Sequence, residues 1–409
     1  MIQKILIKYF PWQIILMTLS PVVKAYALGK IPQAYDYIVY IMIAVTALWF
    51  YIANYKVINK EYHYLSFAYK VLIAYVLLGF IKNIFVPSGL YPFFKLNVCT
   101  AFLAFGSIFI FIYEQNLIRK VIQLWWKIIP AVFCLTFWKV ETSQHIIMLQ
   151  FCLLFLIFLP FFSKIRKIVI IGLLVFVAYN GMQQRIDFLS YLFPILLYVV
   201  VKLCLRFDRK FFKAFFHTLM LLPVFFLSLF LYSGFNVLDM DSYVHYDIES
   251  SSAGRMTDDT RSFLFEEAYI SAVSNNYLLL GRTPYYGYDS YWVTQREGEG
   301  LEVQGVVQRA SEVFIVNMLT WTGLFGCFMF FLLYYVIGID SLSKTKNNLL
   351  SVLCLYIAIF WIISWISHNM FTPSLDFMIL YIAIALCLNP IYREMSNRQM
   401  KNTLKRILQ

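Results

Sequence analysis

Long apolar stretches separated by short polar connections run through almost the whole chain. Each stretch has 15 to 26 residues, and a helix needs about 20 mostly apolar residues to cross a bilayer. The pattern therefore predicts about twelve membrane-spanning helices, to within one or two, since 167–181 is short and 167–203 can be drawn as one broken unit. The predicted spans are 9–28, 37–58, 64–86, 97–118, 121–139, 146–163, 167–181, 185–203, 212–235, 313–338, 347–367 and 374–391.

Lysine and arginine are distributed unevenly among the connections, and this gives the predicted orientation. When the N-terminus is placed in the cytoplasm, every second connection is basic, and those on the opposite side are nearly free of lysine. Because cytoplasmic loops carry an excess of lysine and arginine, both termini are predicted to be cytoplasmic. The residues assigned to that side are Lys56, Lys60, Arg119, Lys120, Lys164, Arg166, Lys167, Arg206, Arg209, Lys210, Lys213, Lys344, Lys346, Arg393, Arg398, Lys401, Lys405 and Arg406.

The composition agrees with a multi-pass membrane protein and excludes several soluble classes. Apolar residues make up 61% of the 409 residues and charged residues 14%, whereas soluble domains are about half apolar and a quarter charged. The net charge of +12 does not indicate a nucleic-acid partner, because it lies in short clusters of the kind that face anionic lipid. All seven cysteines lie in or beside apolar runs, so neither a disulfide framework nor a zinc cluster is predicted.

One long polar segment, 236–312, interrupts the pattern on the predicted outer side. Its 77 residues hold thirteen acids, five arginines and no lysine, so its net charge is −8 while the rest of the chain carries +20. The chain is therefore divided into spans one to nine (1–235), one large outer loop (236–312), and spans ten to twelve with a basic tail (313–409). A long insertion between spans is usually functional.

Local patterns inside the loop predict a helix followed by turns. Residues 258–275 have the capping acids and the apolar side of a helix. Residues 281–291 are punctuated by glycine and proline, which indicates a turn-rich stretch. The tyrosines of this stretch, Tyr285, Tyr286 and Tyr288 among them, are candidates for stacking on sugar rings.

Arginine without lysine in the loop points to a phosphate group as the ligand, because the planar guanidinium matches phosphate oxygens in two places. Arg255 and Arg261 flank the start of the predicted helix, where anions are favoured. For these two and for Arg282, salt bridges to the neighbouring acids are the alternative. Arg185, in a short outer turn that enters an apolar helix, is either a functional arginine or an anchor that snorkels to the surface.

Two residues at the outer boundary are candidates for proton transfer. Glu312 lies where the loop meets the tenth span, and a carboxylate there can act as a general base; the alternative is an ordinary interfacial acid. His368, in another outer turn, is a second base candidate, with a surface histidine as the alternative. The Walker A, GxGxxG and HExxH patterns are lacking, and a single DxD at 239–241 is expected by chance in so acidic a loop. No metal is predicted.

Four short stretches, all on the predicted outer side of the membrane, form a pattern through their residues and their order along the chain. They are NGMQQRIDFL with Arg185, SAGR with Arg255 followed by DDTR with Arg261, LLLGRTPYYG, and Glu312 eleven positions before Gly323 of GLFG. Together with the architecture, they resemble the O-antigen polymerase and O-antigen ligase group of bacterial inner-membrane proteins, which have about a dozen spans and one large periplasmic loop. In the ligases the position of Glu312 is typically histidine, so this chain resembles the polymerases more.

The resemblance implies a fold like that of the GT-C membrane glycosyltransferases, in the bacterial inner membrane, and no cofactor. It implies transfer of a growing surface polysaccharide, O-antigen or capsule, from undecaprenyl diphosphate to the next lipid-linked repeat unit at the periplasmic face. Arg185, Arg255, Arg261 and Arg282 would hold the diphosphate, with Arg255 and Arg261 also acting in catalysis, and Glu312 would deprotonate the acceptor hydroxyl. A chain-length regulator and a flippase are conceivable partners.

Other functions remain open at this level. An O-antigen ligase or a related transferase shares the architecture and differs mainly at Glu312. A lipid-linked oligosaccharide flippase would suit twelve spans, but no pair of matched halves with broken helices is visible. A membrane scaffold with an outer binding loop is the remaining alternative.

Overall fold

The computed structural model describes residues 2–28, 31–85, 101–140, 142–181, 185–203, 207–233, 249–250, 254–255, 262–284, 286–290, 306–308, 311–366 and 373–408. Most of these residues are α-helical. The described part of the loop also holds two short antiparallel strand pairs. They are β1 (Glu249–Ser250) with β2 (Gly254–Arg255), and β3 (Tyr288–Ser290) with β4 (Val306–Gln308).

The helices follow the predicted apolar stretches closely, and each predicted span overlaps at least one helix. In chain order they are α1 (Ile2–Thr18), α2 (Ser20–Tyr26), α3 (Ile31–Ala53), α4 (Tyr55–Glu61), α5 (His63–Phe85), α6 (Ala101–Ala104), α7 (Ser107–Tyr113), α8 (Gln115–Thr136), α9 (Thr142–Ile157), α10 (Lys164–Gly181), α11 (Arg185–Leu203), α12 (Arg209–Ser233), α13 (Ser262–Ser274), α14 (Phe314–Lys344), α15 (Asn348–Ser364), α16 (Leu375–Leu388), α17 (Pro390–Glu394) and α18 (Asn397–Leu408).

Several of these helices are long and apolar enough to cross a membrane. Within the described residues, four meet that condition: α3, α5, α14 and residues Arg209–Leu229 of α12. The number rises to six if α1 with α2, bent by 49°, and α6–α7 with α8, bent by 106°, each count as one span. A mostly helical protein with apolar helices of spanning length is thus confirmed, while a total of twelve spans stays a prediction.

The core of the bundle is formed by helices that are apolar on every side. In α15, Leu353, Cys354 and Ile357 are fully buried, and α16 is buried along nearly its whole length. A helix that is hydrophobic all round has to be surrounded by other helices. Accordingly, α15 packs between α12, α14 and α16, and α16 also packs against α7. The central helices α14, α15 and α16 all belong to the C-terminal third of the chain.

Polar contacts join the connections at one end of the bundle, here named the basic end, which comprises residues 54–63, 113–120, 207–213, 344–348 and 389–408. The Tyr113 hydroxyl donates to Glu61 Oε2 at 2.7 Å, and the Asn389 side-chain amide donates to the Ile112 carbonyl at 3.1 Å. Lys70, which lies inside a predicted span, reaches toward the same end and donates to Asn59 Oδ1 at 3.2 Å. These connections were all assigned to one side of the membrane by sequence.

An ion-pair network fixes the last helices at the basic end. The buried Arg393 guanidinium donates to Asp340 Oδ2 at 2.7 Å, and Lys344 pairs with the other oxygen of Asp340 at 2.7 Å. The Asn348 side chain donates to the Phe207 carbonyl at 3.0 Å and so brings a further connection to this end. The grouping is the one expected from an alternating path through a bilayer.

Candidate functional site at the Gly323 break

The longest helix, α14, is interrupted at Gly323 by a segment of the loop that docks against its main chain. Gly323 has φ 67° and ψ −167°, a conformation that is essentially restricted to glycine. Two amides beyond the break donate to the loop: Leu324 N to the Leu278 carbonyl at 2.8 Å and Phe325 N to the Leu279 carbonyl at 3.1 Å. The interrupted helix therefore finds its hydrogen-bond partners in the loop.

Before the break, amides of the loop donate to carbonyls of α14. Arg282 N donates to the Thr320 carbonyl at 2.7 Å, and Thr283 N donates to the Trp321 carbonyl at 2.9 Å. Thr283 is held at φ 76°, which is a strained conformation for a β-branched residue. Irregular main chain within an apolar bundle requires hydrogen-bond partners of this kind. The four hydrogen bonds make residues 278–283 and 320–325 one unit, here named the crossing.

Two glycines permit the close approach of the two segments. A Cβ on Gly323 would lie 2.3 Å from the Leu279 carbonyl oxygen, and a Cβ on Gly281 would lie 2.4 Å from Thr322 N. Gly281 also has a positive φ, 71°. No side chain fits at either position without displacing main chain. The crossing thus explains why LLLG and TGLFG both contain a glycine at these points.

Two polar side chains of helix α5, seven residues apart on the helix, donate hydrogen bonds to the crossing. The Tyr75 hydroxyl lies 2.9 Å from the Leu280 carbonyl and 3.3 Å from the Thr322 carbonyl, and it donates to this pair. Seven residues later, Lys82 Nζ donates to the Arg282 carbonyl at 2.8 Å. The end of the bundle that contains the crossing is here named the loop end.

A network around Asp289 lies directly beside the crossing. Asp289 Oδ2 accepts from the Ser271 hydroxyl at 3.1 Å, from the Asn275 amide at 2.8 Å and from Arg282 at 3.3 Å. The Asp289 amide donates to Ser271 Oγ at 3.0 Å, and the Tyr277 hydroxyl donates to the same oxygen at 2.8 Å. These five residues form the Asp289 cluster. It links α13, the turn region and β3.

Arg282 is held within this cluster by charge and by stacking. Its guanidinium carbon lies 4.2 Å from the centre of the Tyr277 ring and 5.2 Å from that of Tyr286. Both terminal nitrogens face the Asp289 carboxylate, and only 11% of the side chain is exposed. Burial raises the pKa of the Tyr277 phenol, so it remains a hydrogen-bond donor at neutral pH. Arg282 is thus a fixed planar cation at the loop end.

Helix α13 and the start of α14 form the frame that carries the cluster. β3 runs along α13, and Ser290 Oγ donates to the buried Glu267 carboxylate at 2.8 Å. The entry into α14 is shaped by a reciprocal pair: Ser311 N donates to Asn317 Oδ1 at 2.6 Å, and the Asn317 amide donates to the Ser311 carbonyl at 2.8 Å. This pair leaves Glu312 between two anchored residues.

The described site residues from the sequence occupy different environments. Glu312 is exposed at the entry to α14, about eight residues, or roughly 12 Å of helix, from Thr320 at the crossing. Tyr286 lies half-buried against Arg282. Tyr288 is 1% exposed within β3, and burial raises its pKa. Its ring packs in the core here and presents no face to a sugar. The structure therefore brings Arg282 and Tyr286 together.

Several predicted residues lie at the margin of the described chain or beyond it. Arg185 is the first residue of α11, and Arg255 lies in β2 opposite Glu249; for both, only the main chain is described. Arg261, Tyr285 and His368 lie outside the described residues, as does the predicted cap of α13. Helix α13 itself confirms the predicted helix over the range 262–274.

Three features of the loop end were not predicted from sequence. Tyr75 and Lys82 contact the crossing from α5, and their signal is a pair of polar residues seven positions apart at the end of an apolar run. Asp376, in the first turn of α16, accepts from the Gln150 amide at 2.8 Å. A lone acid in an otherwise apolar stretch was the available signal for Asp376.

Comparisons with known proteins add no family to these observations. No protein-family model matches the chain, and neither a curated protein nor a solved structure matches it. Within the described residues, no group of three or more histidine, cysteine, aspartate or glutamate side chains is placed to hold a metal ion. The function has to be inferred from the chain's own residues.

Proposed function

We propose that this protein is a membrane glycosyltransferase that polymerises lipid-linked oligosaccharide repeat units at the loop end, which would face the periplasm. The basic end would then face the cytoplasm, as the positive-inside rule requires. The lipid-linked donor would be a glycan on undecaprenyl diphosphate. The acceptor would be the next lipid-linked repeat unit, and the product would be one repeat longer.

The observation that carries this proposal is the crossing itself. LLLGRTPYYG and the Glu312-to-Gly323 element were singled out separately as resembling the polymerase and ligase group. In the structure their main chains are joined by four hydrogen bonds, and Gly281 and Gly323 permit the close approach that these bonds require. Gly281 and Gly323 are 42 residues apart in the chain, and two distant elements that depend on each other in this way support the resemblance better than either does alone.

In the proposed reaction, an acceptor hydroxyl oxygen forms a bond to the anomeric carbon of the donor glycan. The bond from that carbon to the diphosphate oxygen breaks, and undecaprenyl diphosphate leaves with the electron pair. Glu312, exposed beside the anchored entry to α14, would take the hydroxyl proton. Arg185, Arg255 and Arg261 would neutralise the charge that develops on the diphosphate.

Arg282 has a different part in this proposal from the one expected from sequence. Its guanidinium already faces the Asp289 carboxylate, so its charge is largely compensated. It would shape the site by holding Tyr286, whose ring could stack against a sugar, and it would contribute to the diphosphate contact only at its edge. Arg185, Arg255 and Arg261 are therefore proposed as the main phosphate ligands.

Deletion of the gene in its bacterial host tests the function. The surface polysaccharide is separated on a gel after complementation with the wild type, with Arg255→Ala or with Glu312→Gln. We expect the long ladder to collapse to a single repeat on a normal anchor, and neither variant to restore it. Tyr64→Phe, which alters a hydroxyl without a hydrogen-bond partner, is the matched control and should restore the ladder.

Other outcomes would point to other functions. Long chains that persist on undecaprenyl diphosphate would identify a ligase. Single repeats that accumulate on the cytoplasmic side would identify a flippase. An unchanged ladder in the deletion strain would contradict all three.

A further inference from the structure

The loop end has an exposed cation at the edge of the bundle that the proposed reaction does not use. Lys82 lies in the last turn of α5 and is exposed. Its ammonium donates to the Arg282 carbonyl at 2.8 Å. Among the described residues, no carboxylate forms an ion pair with it, whereas Lys24 at the same end pairs with Asp36 at 3.2 Å. Within the described part of the chain, the charge of Lys82 is thus not neutralised by a carboxylate.

Exposed apolar side chains lie near this cation. Leu279 and Leu280 of the crossing have side chains that are 68% and 65% exposed, although their carbonyls accept hydrogen bonds from Phe325 N and the Tyr75 hydroxyl. Ile81, next to Lys82 on α5, is 50% exposed, and Phe325, whose amide donates to the Leu279 carbonyl, is 43% exposed. Hydrogen bonds from Tyr75 and Lys82 hold this strip of the loop along α5. The result is an apolar strip that ends in a positive group.

We infer that Lys82 and this strip form a binding site for a phosphate-headed membrane lipid, with the phosphate at Lys82 and a hydrocarbon chain along Leu279 and Leu280. A lysine ammonium is a compact charge that binds phosphate through charge-assisted hydrogen bonds. The nearby Arg282 guanidinium is already paired with Asp289, so Lys82 rather than Arg282 is left to attract the phosphate. Exposed leucines beside an interfacial charge match the two parts of a lipid.

The site can take a bulk anionic phospholipid or the diphosphate of a polyprenyl carrier, since both present phosphate above a hydrocarbon chain. The inference does not depend on glycosyl transfer. A lipid that binds here would fix the crossing and α5 in register, whichever reaction the protein carries out. Lipid binding and polysaccharide synthesis are measured separately, so either claim can fail while the other holds.

Native mass spectrometry of the full-length protein in neutral detergent tests the site. The protein is titrated with phosphatidylglycerol, with phosphatidylcholine and with undecaprenyl diphosphate. Lys82→Gln keeps a donor for the Arg282 carbonyl and removes the charge, while Lys82→Arg keeps the charge. Lys139→Gln is the matched control, because Lys139 lies near the same end, where its ammonium contacts the Tyr26 ring at 4.1 Å.

We expect Lys82→Gln to weaken binding of the anionic lipids about fivefold, in line with about 1 kcal/mol per basic residue near a membrane surface. Lys82→Arg should restore binding, and Lys139→Gln should leave it unchanged. Tighter binding of undecaprenyl diphosphate than of phosphatidylglycerol would identify the carrier as the occupant, and the reverse would identify a bulk phospholipid. Equal effects of Lys82→Gln and Lys139→Gln, or no preference for anionic lipid, would overturn the inference.

Discussion

Substitution of Gly323 by alanine should open the crossing. A Cβ at this position would lie 2.3 Å from the Leu279 carbonyl oxygen and 2.4 Å from its carbon. Both contacts are with main chain, which cannot rotate away as a flexible side chain would. The φ of 67° and ψ of −167° are also closed to alanine. The two segments therefore have to separate.

The expected size of the effect follows from what is lost. The strained conformation costs on the order of 1–3 kcal/mol for a residue with a Cβ. Each main-chain hydrogen bond contributes roughly 0.5–1.5 kcal/mol, and at least the two made by Leu324 and Phe325 would break. The local free energy of opening should thus fall by about 3 kcal/mol or more, which corresponds to about 100-fold faster exchange of the protected amides.

Hydrogen–deuterium exchange of the purified protein measures this directly. Peptides covering 278–283 and 320–325 should lose protection in Gly323→Ala, while peptides from the basic end should keep it. Gly172→Ala is the matched control, because a Cβ on Gly172 would meet nothing within 4 Å. Alanine at an exposed helical glycine is expected to be neutral or stabilising by about 1 kcal/mol.

Equal protection in the two alanine variants would refute this reasoning. It would mean that the main chain near Gly323 accommodates a side chain without separation of the segments. A loss of protection spread evenly over the whole chain would also contradict it, since the crossing would then not be a local unit.

Three further predictions concern single groups. Tyr75→Phe should lower the free energy of unfolding in chemical denaturation by about 1–2 kcal/mol, because the Leu280 and Thr322 carbonyls lose their donor. Tyr64→Phe should be nearly neutral, since that hydroxyl has no hydrogen-bond partner. Equal effects of the two substitutions would count against the Tyr75 contact. Glu312→Gln should change stability by less than about 0.5 kcal/mol and lower the rate of glycan transfer about 100-fold or more; a fully active variant would remove Glu312 from the reaction. Arg393→Gln should cost about 3 kcal/mol because it leaves Asp340 with Lys344 alone, and Lys346→Gln, in an exposed pair with Glu394, less than about 1 kcal/mol.

The helices were largely predictable because the thickness of the bilayer sets the length of an apolar run that can span it. A span must cover the hydrocarbon layer with about 20 residues, so apolar runs of that length locate α3, α5, α12 and α14 directly. What the runs do not show is where a helix bends. The 106° bend between α7 and α8 at Glu114 depends on packing with the rest of the bundle.

The distribution of lysine predicted the grouping of connections but not the position of every lysine. Lys24, Lys82 and Lys139 all lie near the loop end, although the loops there were expected to be nearly free of lysine. Each is near a helix terminus and has a local contact: Asp36, the Arg282 carbonyl and the Tyr26 ring. The sequence rule concerns loops as a whole and does not assign such individual contacts.

The site was predictable only in part, since its main feature is an encounter between distant segments. Gly281 stood out as turn punctuation and Gly323 as part of an element of the resemblance, yet nothing in either stretch says that the two main chains meet. The pairing of Arg282 with Asp289 was one of two open readings, and the structure shows that ion pair. Tyr288 could not be distinguished from Tyr286 by sequence, because the burial of its ring depends on tertiary packing, including that of β3 on α13.

The most direct test of the proposed function is the product formed by the purified protein. Wild-type protein in proteoliposomes is supplied with a single repeat unit on undecaprenyl diphosphate, and the lipid-linked products are resolved by mass. The proposal predicts a series of products that differ by one repeat, with free undecaprenyl diphosphate released at each step and no series with Glu312→Gln. A repeat unit that stays single, or that only changes its side of the membrane, would contradict it.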